Sequence, residues 1–267
     1  MALTIVATVA FLTELAGAVT CQSPALKIDT LVTPGTDPHA FVLSPTHRGK
    51  ISNAKIIMQV GSHFEPWIDK LKVSSQQKKF ILTDGLPLVN GDAHIWHSPD
   101  LTIQAARQIG AFFVENGIEK AEIIQKCTAV FEKSVAQEFS ALKKQIQSIP
   151  VQDRILATDH DAFSYFGRDF GLKIVSVTGF APDSSPTPLK MHKAIEQIKL
   201  KKIKAVFLEE GSTAKTLETL ARETQIRIGG TLIADGLSGP GSGADTILGL
   251  WRKNISIFIE GINGLQK

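Results

Sequence analysis

The sequence has little cysteine, little excess charge and few long apolar runs, and each shortage argues against a class of protein. Two cysteines in 267 residues are too few for a disulfide scaffold, and Cys21 and Cys127 are too far apart for a Cys-x-x-Cys metal site. We interpret both as buried small hydrophobic residues, with a disulfide as the less favoured alternative. A net charge of only +3, with no aromatic residue among the clustered lysines at 199–204, argues against nucleic acid as a partner.

The most apolar run, residues 2–20, has two interpretations. It is either a signal peptide or a buried strand at 3–9 followed by an apolar helix at 11–20. We favour the strand and helix, because no basic segment precedes the run and Glu14 interrupts it. We therefore expect an exported protein whose signal peptide is absent from this chain. No other stretch approaches the roughly 18 to 20 apolar residues of a membrane span, so none is expected.

Short β-branched runs alternate with longer amphipathic stretches along the whole chain. This rhythm, over a length that suits two domains, predicts an α/β protein with two lobes, each a roughly four-stranded, mainly parallel sheet flanked by helices. In the first lobe we predict strands at 3–9, 26–32, 54–60 and 79–83 and helices at 11–20, 45–52, 66–72 and 99–116. In the second we predict strands at 155–158, 173–177, 205–209 and 227–234 and helices at 162–170, 188–200, 213–223 and 244–262.

Residues 118–149 contain neither glycine nor proline and predict one long helix between the lobes. Apolar side chains recur there at helical spacing, at Ile123, Cys127, Val130, Phe131 and Val135. A helix of roughly thirty residues spans about 45 Å and acts as a strut rather than a hinge. The predicted domains are thus a first lobe at 1–117, a rigid backbone helix at 118–149 and a second lobe at 150–267.

Three of the seven histidines lie where a parallel sheet would place a ligand site. His39 follows the second predicted strand, His94 follows the fourth, and His160 follows the first strand of the second half. Ligands of α/β proteins bind beyond the carboxyl ends of the strands. These three histidines are therefore the candidate metal ligands, and the other four are treated as ordinary surface or core residues.

A carboxylate follows the last predicted strand in the same way. Asp235 ends a buried-looking run and precedes the glycine-rich segment 236–243, although a turn-capping role would explain it equally well. Three imidazoles and one carboxylate form a ligand set that suits zinc. Nearby carboxylates could accept a hydrogen bond from the second ring nitrogen of each histidine, and the candidates are Asp37, Asp92, Asp159 and Asp161.

Several motifs together resemble those of the zinc- and manganese-binding solute receptors of bacterial ABC importers, the ZnuA-like and TroA-like group, over essentially the whole chain. The matching segments are Gly35-x-Asp37-Pro38-His39, Phe64-Glu65-Pro66-Trp67, Asp92-x-His94-x-Trp96, His160-Asp161-Ala162-Phe163-x-Tyr165-Phe166, Glu209, and Asp235-x-Leu237-Ser238 with Arg252 and Asn254. The resemblance implies a metal bound by His39 and His94 from one lobe and by His160 and Asp235 from the other. It also implies a periplasmic or other extracytoplasmic receptor, not an enzyme, that delivers the ion to a membrane permease. We expect a monomer.

The identity of the metal depends on two features that disagree. Many zinc receptors carry a long loop rich in His and Asp, and here only residues 84–91 separate Thr83 from Asp92. Manganese receptors of the group tend to have a carboxylate at the third ligand position, where this chain has His160. We expect one ion per chain, with zinc preferred and manganese as the alternative.

Two other functions share the same residues. A zinc-dependent hydrolase could use the His/His/His/Asp set, with Glu209 as its base, although catalytic zinc sites usually keep an open position. A metal-binding surface adhesin is the second alternative. We expect His97 to be a surface residue rather than a fifth donor, and Glu209 to support a loop or a domain contact.

Overall fold

The structure, a computed structural model, describes residues 3–71, 74–176, 187–211 and 214–264. Its contacts divide the chain into two compact units, Met1–Gln137 and Glu138–Lys267. Each unit contains a parallel sheet of four strands with helices around it, which confirms the predicted α/β fold class.

In the first unit the strands are β1 (Leu3–Ala7), β2 (Leu26–Thr30), β3 (Ile56–Gln59) and β4 (Lys78–Ile81). The helices are α1 (Ala10–Val19), α2 (Pro45–Asn53), α3 (Pro66–Asp69), α4 (Pro99–Glu115) and the first part of the long α5 (Ala121–Gln147), which continues into the second unit. The strand order is β2-β1-β3-β4, and every pairing is parallel. The carboxyl ends of all four strands therefore meet at one edge of the sheet.

The central strand β1 explains why this sheet forms. Ile5, Val6 and Ala7 are fully buried, so both faces of the strand are covered, as expected for a parallel sheet. Fully burying one Val, Leu or Ile side chain contributes about 1.5–3 kcal/mol. The loop before α4 ends at Ser98, whose Oγ accepts a hydrogen bond from Leu101 N at 3.2 Å and so caps the helix.

The second unit repeats the arrangement of the first. Its strands are β5 (Ile155–Thr158), β6 (Lys173–Ser176), β7 (Ala205–Glu209) and β8 (Arg227–Leu232), in the order β6-β5-β7-β8 and all parallel. Its helices are α6 (Ser164–Phe170), α7 (Pro188–Leu200), α8 (Lys215–Thr224) and α9 (Ile247–Asn263). A core cluster that includes Val206, Ala194 and Leu220 joins β7 to α7 and α8.

The boundary between the units falls inside α5. This helix buries a stripe at helical spacing that includes Ile124, Cys127, Phe131 and Val135. Two other apolar residues of the helix lie outside this stripe, since Val130 is 61% exposed and Ile123 is 37% exposed. The helix is slightly shorter at both ends than the predicted 118–149.

A disulfide joins Cys21, just after α1, to Cys127 in α5 across 106 residues. The interpretation of the two cysteines as buried small hydrophobic residues was therefore wrong. The chain brings their Cα atoms to 5.4 Å, which is within the range of a disulfide.

Most predicted elements are present with small changes at their ends. The strands at 155–158 and 205–209 and the helix at 188–200 match the structure, and residues 3–19 form β1 and α1, as the strand-and-helix interpretation predicted. The predicted ends Lys72, Val177 and Thr213 lie outside the described residues. In the part of the chain that the structure describes, no helix combines the length and apolarity needed to cross a membrane.

Candidate metal-binding residues

In the first unit, His39 lies in the loop that follows β2. Its backbone N–H donates to Asp37 Oδ1 at 2.8 Å, which forms a tight local turn. Pro38, directly before His39, is held as well, because its carbonyl oxygen accepts a hydrogen bond from Trp67 Nε1 at 2.8 Å. The loop that carries His39 is thus held from both sides of the Asp-Pro-His sequence.

His94 is positioned by a single carboxylate two residues before it. Asp92 Oδ1 lies 2.7 Å from His94 Nδ1 and also accepts the backbone N–H of His94 at 2.9 Å. Both side chains are almost fully buried. This contact places the Nδ1 proton on the side of the carboxylate and leaves Nε2 as the ligand atom.

One aromatic ring packs against both histidines. The Phe64 ring centroid lies 4.6 Å from that of His39 and 5.6 Å from that of His94, in edge-to-face arrangements. The two imidazole centroids are 5.7 Å apart. Trp96 contacts Phe64 and His94 from the next turn of the chain. These two predicted ligands of the first unit therefore lie side by side against a rigid aromatic wall.

The segment before Phe64 is strained and is held by a buried carboxylate. Gly61, Ser62 and His63 all have positive φ, a costly conformation for the last two. Glu65 stabilises this turn, because its carboxylate accepts the backbone N–H of Gly61 and of the preceding Val60 as well as the hydroxyl of a threonine after β1. Burial raises the pKa of Glu65, and the three hydrogen bonds oppose that shift.

In the second unit, a glutamate at the end of β7 positions His160. One carboxylate oxygen of Glu209 accepts the backbone N–H groups of Asp159 and His160 at 3.0 and 3.1 Å, and the other contacts His160 Nδ1. His160 is fully buried and Glu209 is 4% exposed. As with His94, this leaves Nε2 of the imidazole as the ligand atom.

His160 Nε2 faces the fourth predicted ligand, with Asp235 Oδ1 at 3.3 Å. The chain before Asp235 is fixed by Asn254 in α9, whose amide exchanges two hydrogen bonds of 2.9 Å with the backbone of Ile233. Burial lowers the pKa of His160, but the hydrogen bonds and charges of Asp235 and Glu209 outweigh it and raise the value to about 11. Without metal, the imidazole holds a proton between two carboxylates.

The structure thus places the four predicted ligands in two pairs, one in each unit, at the carboxyl edges of the two sheets. A match to the family described as zinc-uptake complex component A, periplasmic, covers residues 5–261. The chain belongs to this family.

Relatives of known function and structure agree with the family. The chain is 26% identical over 253 residues to the manganese-binding lipoprotein MntA of Bacillus subtilis, a match that covers 89% of this chain and 83% of that protein. It is 23% identical over 247 residues to the zinc-binding protein TroA of Treponema pallidum, covering 87% and 80%. The solved structure of that periplasmic zinc-binding protein superposes with a TM-score of 0.89 at 22% identity, over 98% of this chain and 99% of the other, and so shares its fold.

The zinc-uptake complex component A family consists of substrate-binding proteins and gives no support to the hydrolase alternative. The structure also limits the role of Glu209 as a base, because both of its carboxylate oxygens accept hydrogen bonds from the segment that carries His160. The expectation that Glu209 supports a loop is confirmed.

Other expectations about neighbouring residues were partly wrong. Asp92 does contact the ring of its histidine, as predicted, but the ring of His160 turns to Glu209, and Asp161 accepts a hydrogen bond from the hydroxyl of Ser164. His97 is fully buried rather than on the surface. It ends a short 3-10 turn at Ile95–His97, which directs it inward beside Trp96.

Proposed function

We propose that this protein captures one divalent transition metal ion outside the cytoplasm and delivers it to the membrane permease of an ABC importer. The ligands are His39, His94, His160 and Asp235, which contribute three imidazole nitrogens and one carboxylate. The observation that carries the proposal is the pairing of buried imidazoles with carboxylates. His94 and His160 each direct Nδ1 to a carboxylate and keep Nε2 for an ion.

Zinc is the preferred ion and manganese the alternative. A site with three imidazoles and one carboxylate is nitrogen-rich, whereas manganese favours oxygen ligands, and zinc also ranks above manganese in the usual order of affinity. Relatives are named for either metal, so relatedness does not favour one of them. His160 is the residue that decides, since a carboxylate in its place would make the site richer in oxygen.

Capture requires an exchange in the second unit. In the metal-free protein the protonated imidazole of His160 donates Nδ1–H to Glu209 and Nε2–H to Asp235. An ion that binds Nε2 of His160 and Oδ1 of Asp235 takes over the position between these two atoms, and the proton on Nε2 leaves. Glu209 keeps the Nδ1 proton and holds the ring in its orientation.

Location and lack of catalysis are part of the same proposal. The Cys21–Cys127 disulfide supports an oxidising compartment such as the periplasm or the cell exterior. Four protein ligands that fill a tetrahedral shell leave no position for a reacting water, which supports a receptor rather than an enzyme. We also propose a monomer with lobes 1–117 and 150–267 on a connecting helix 118–149.

Metal analysis and competition titration test the proposal together. Protein purified without added metal should contain about one ion per chain by elemental analysis, and zinc should outcompete manganese in titrations against a chelating dye. Replacing His39 or Asp235 by alanine should weaken zinc binding by a large factor. His192→Ala is the matched control, because this exposed histidine pairs with Glu196 on its own helix, and its loss should leave affinity unchanged. Undiminished affinity in the His39→Ala and Asp235→Ala proteins would refute the ligand assignment.

A further inference from the structure

Two consecutive glutamates, the last residue of β7 and the residue after it, contact different parts of the second unit. Glu209 contacts the segment that carries His160. Glu210 accepts a hydrogen bond from the hydroxyl of Ser238, three residues after Asp235. The backbone N–H of Glu210 donates to Leu232 O at 2.8 Å, so Glu210 extends the pairing of β7 with β8. Each glutamate therefore connects the sheet to the segment of one proposed ligand.

Beyond the buried Leu237 and Ser238, the loop that follows Asp235 is largely exposed at 239–243. Gly236, Gly241 and Gly243 have positive φ, and a Cβ atom at any of them would meet nothing within 4 Å. Several hydrogen bonds of the loop close upon the loop itself, such as Ser242 N to Gly239 O at 3.1 Å. Such a segment changes conformation at low cost unless a specific contact holds it.

A cavity of about 300 Å³ lies against this loop. Its lining includes Glu210 and Ser238 themselves, together with Thr231, Ser242 and Ala244. The loop therefore has open space beside it. On its other side Asp235 follows Ile233, which Asn254 fixes through two hydrogen bonds. Asp235 thus lies between a fixed strand end and a loop fastened through Ser238.

We propose that Glu210 is a positioning residue that acts through Ser238 to hold the Asp235 loop against the sheet, and that this hydrogen bond sets the rate of metal release. The inference rests on the proposed function, since it needs Asp235 to be a ligand. Glu210 itself does not contact the ion. When the hydrogen bond opens, the glycine-rich loop gains the adjacent space and carries the carboxylate of Asp235 away from His160.

Stopped-flow release of zinc into excess chelator tests this inference. Glu210→Ala and Ser238→Ala should each accelerate release by about tenfold, as expected for loss of a hydrogen bond to a charged group, with a much smaller effect on the association rate. The double variant should be no faster than either single variant, because both remove the same contact. Glu210→Gln keeps an acceptor for the serine hydroxyl and should restore slow release.

Ser242→Ala is the matched control, because the Ser242 hydroxyl accepts a hydrogen bond from Ala244 N within the loop itself, and this variant should release zinc at the wild-type rate. Circular dichroism verifies that each variant folds. If Glu210→Ala does not fold, the release rate of Ser238→Ala alone tests the inference. Wild-type release rates in Ser238→Ala would overturn the inference while leaving the proposed function intact. Wild-type protein that retains no ion would overturn the proposed function, and the inference with it.

Discussion

Reduction of the Cys21–Cys127 disulfide should strongly destabilise the first unit. The bond closes a ring of 106 residues between the end of α1 and the middle of α5. For a loop of this size the chain-entropy model gives about 4.7 kcal/mol of stabilisation, because the cross-link restricts the unfolded chain. The free energy of unfolding should therefore fall by about 4.7 kcal/mol, and the thermal midpoint by about 9–19 °C.

Guanidinium unfolding followed by circular dichroism, with and without a phosphine reductant, measures this loss. Cys21 is exposed, so the reductant reaches the bond, whereas Cys127 is buried. The Cys21→Ala/Cys127→Ala double variant is the control, since it should unfold close to the reduced wild type and should not respond to reductant. If reduction shifted the free energy of unfolding by less than about 1 kcal/mol, the argument from loop entropy would fail.

Three further outcomes follow from the site. Asp92→Asn should weaken zinc affinity by about 10- to 100-fold, measured by competition titration, because the ring of His94 loses its carboxylate partner; equal affinity would contradict the role given to Asp92. The pKa of His160 is raised from 6.5 to about 11, so its imidazole is protonated at neutral pH in the metal-free protein. Zinc must therefore displace the proton on Nε2. Calorimetry near about pH 7 in two buffers of different ionisation enthalpy should show release of about one proton per ion, with affinity falling as pH falls; binding without proton release would contradict the pKa. Gly61→Ala should destabilise the protein by more than about 2 kcal/mol, because the new Cβ would overlap neighbouring side chains at a residue with positive φ. Gly117→Ala is its control, because Gly117 also has a positive φ but has open space around it, and this variant should cost about 1 kcal/mol. Equal losses of unfolding free energy in chemical denaturation would refute the steric argument.

Local patterns predicted the fold well because each element carries its own signal. The helix at 188–200 begins with a proline after Thr187, whose hydroxyl caps Lys190 N, and the strand at 205–209 contains four consecutive apolar residues. His94 and Asp92 are two residues apart, so the sequence alone proposes their contact. The placement of candidate ligands at strand ends follows from the rule for parallel sheets and needs no knowledge of distant contacts.

Contacts between distant residues were the ones that sequence reasoning missed. Glu209 reaches His160 across 49 residues, and the acids beside the histidine, Asp159 and Asp161, were better candidates by proximity alone. The disulfide spans 106 residues. His97 is turned inward by a 3-10 turn of three residues, which is too short to show a periodic pattern. In each case the decisive contact depends on how elements pack, which local composition does not encode.

The shared strand order of the two sheets has a further consequence for the sign of charge that this fold accepts. In each sheet the second strand lies on one side of the first and the third strand on its other side, so the strand order reverses there. The crevice at such a point, with its exposed N–H groups, is where parallel folds commonly bind anions such as phosphate. Here each crevice already holds a buried carboxylate. Glu65 accepts two adjacent backbone N–H groups in the first unit, and Glu209 accepts two in the second. The protein has thus filled with its own side chains the donor positions that a phosphate would use, which converts an anion-binding architecture into one that favours cations.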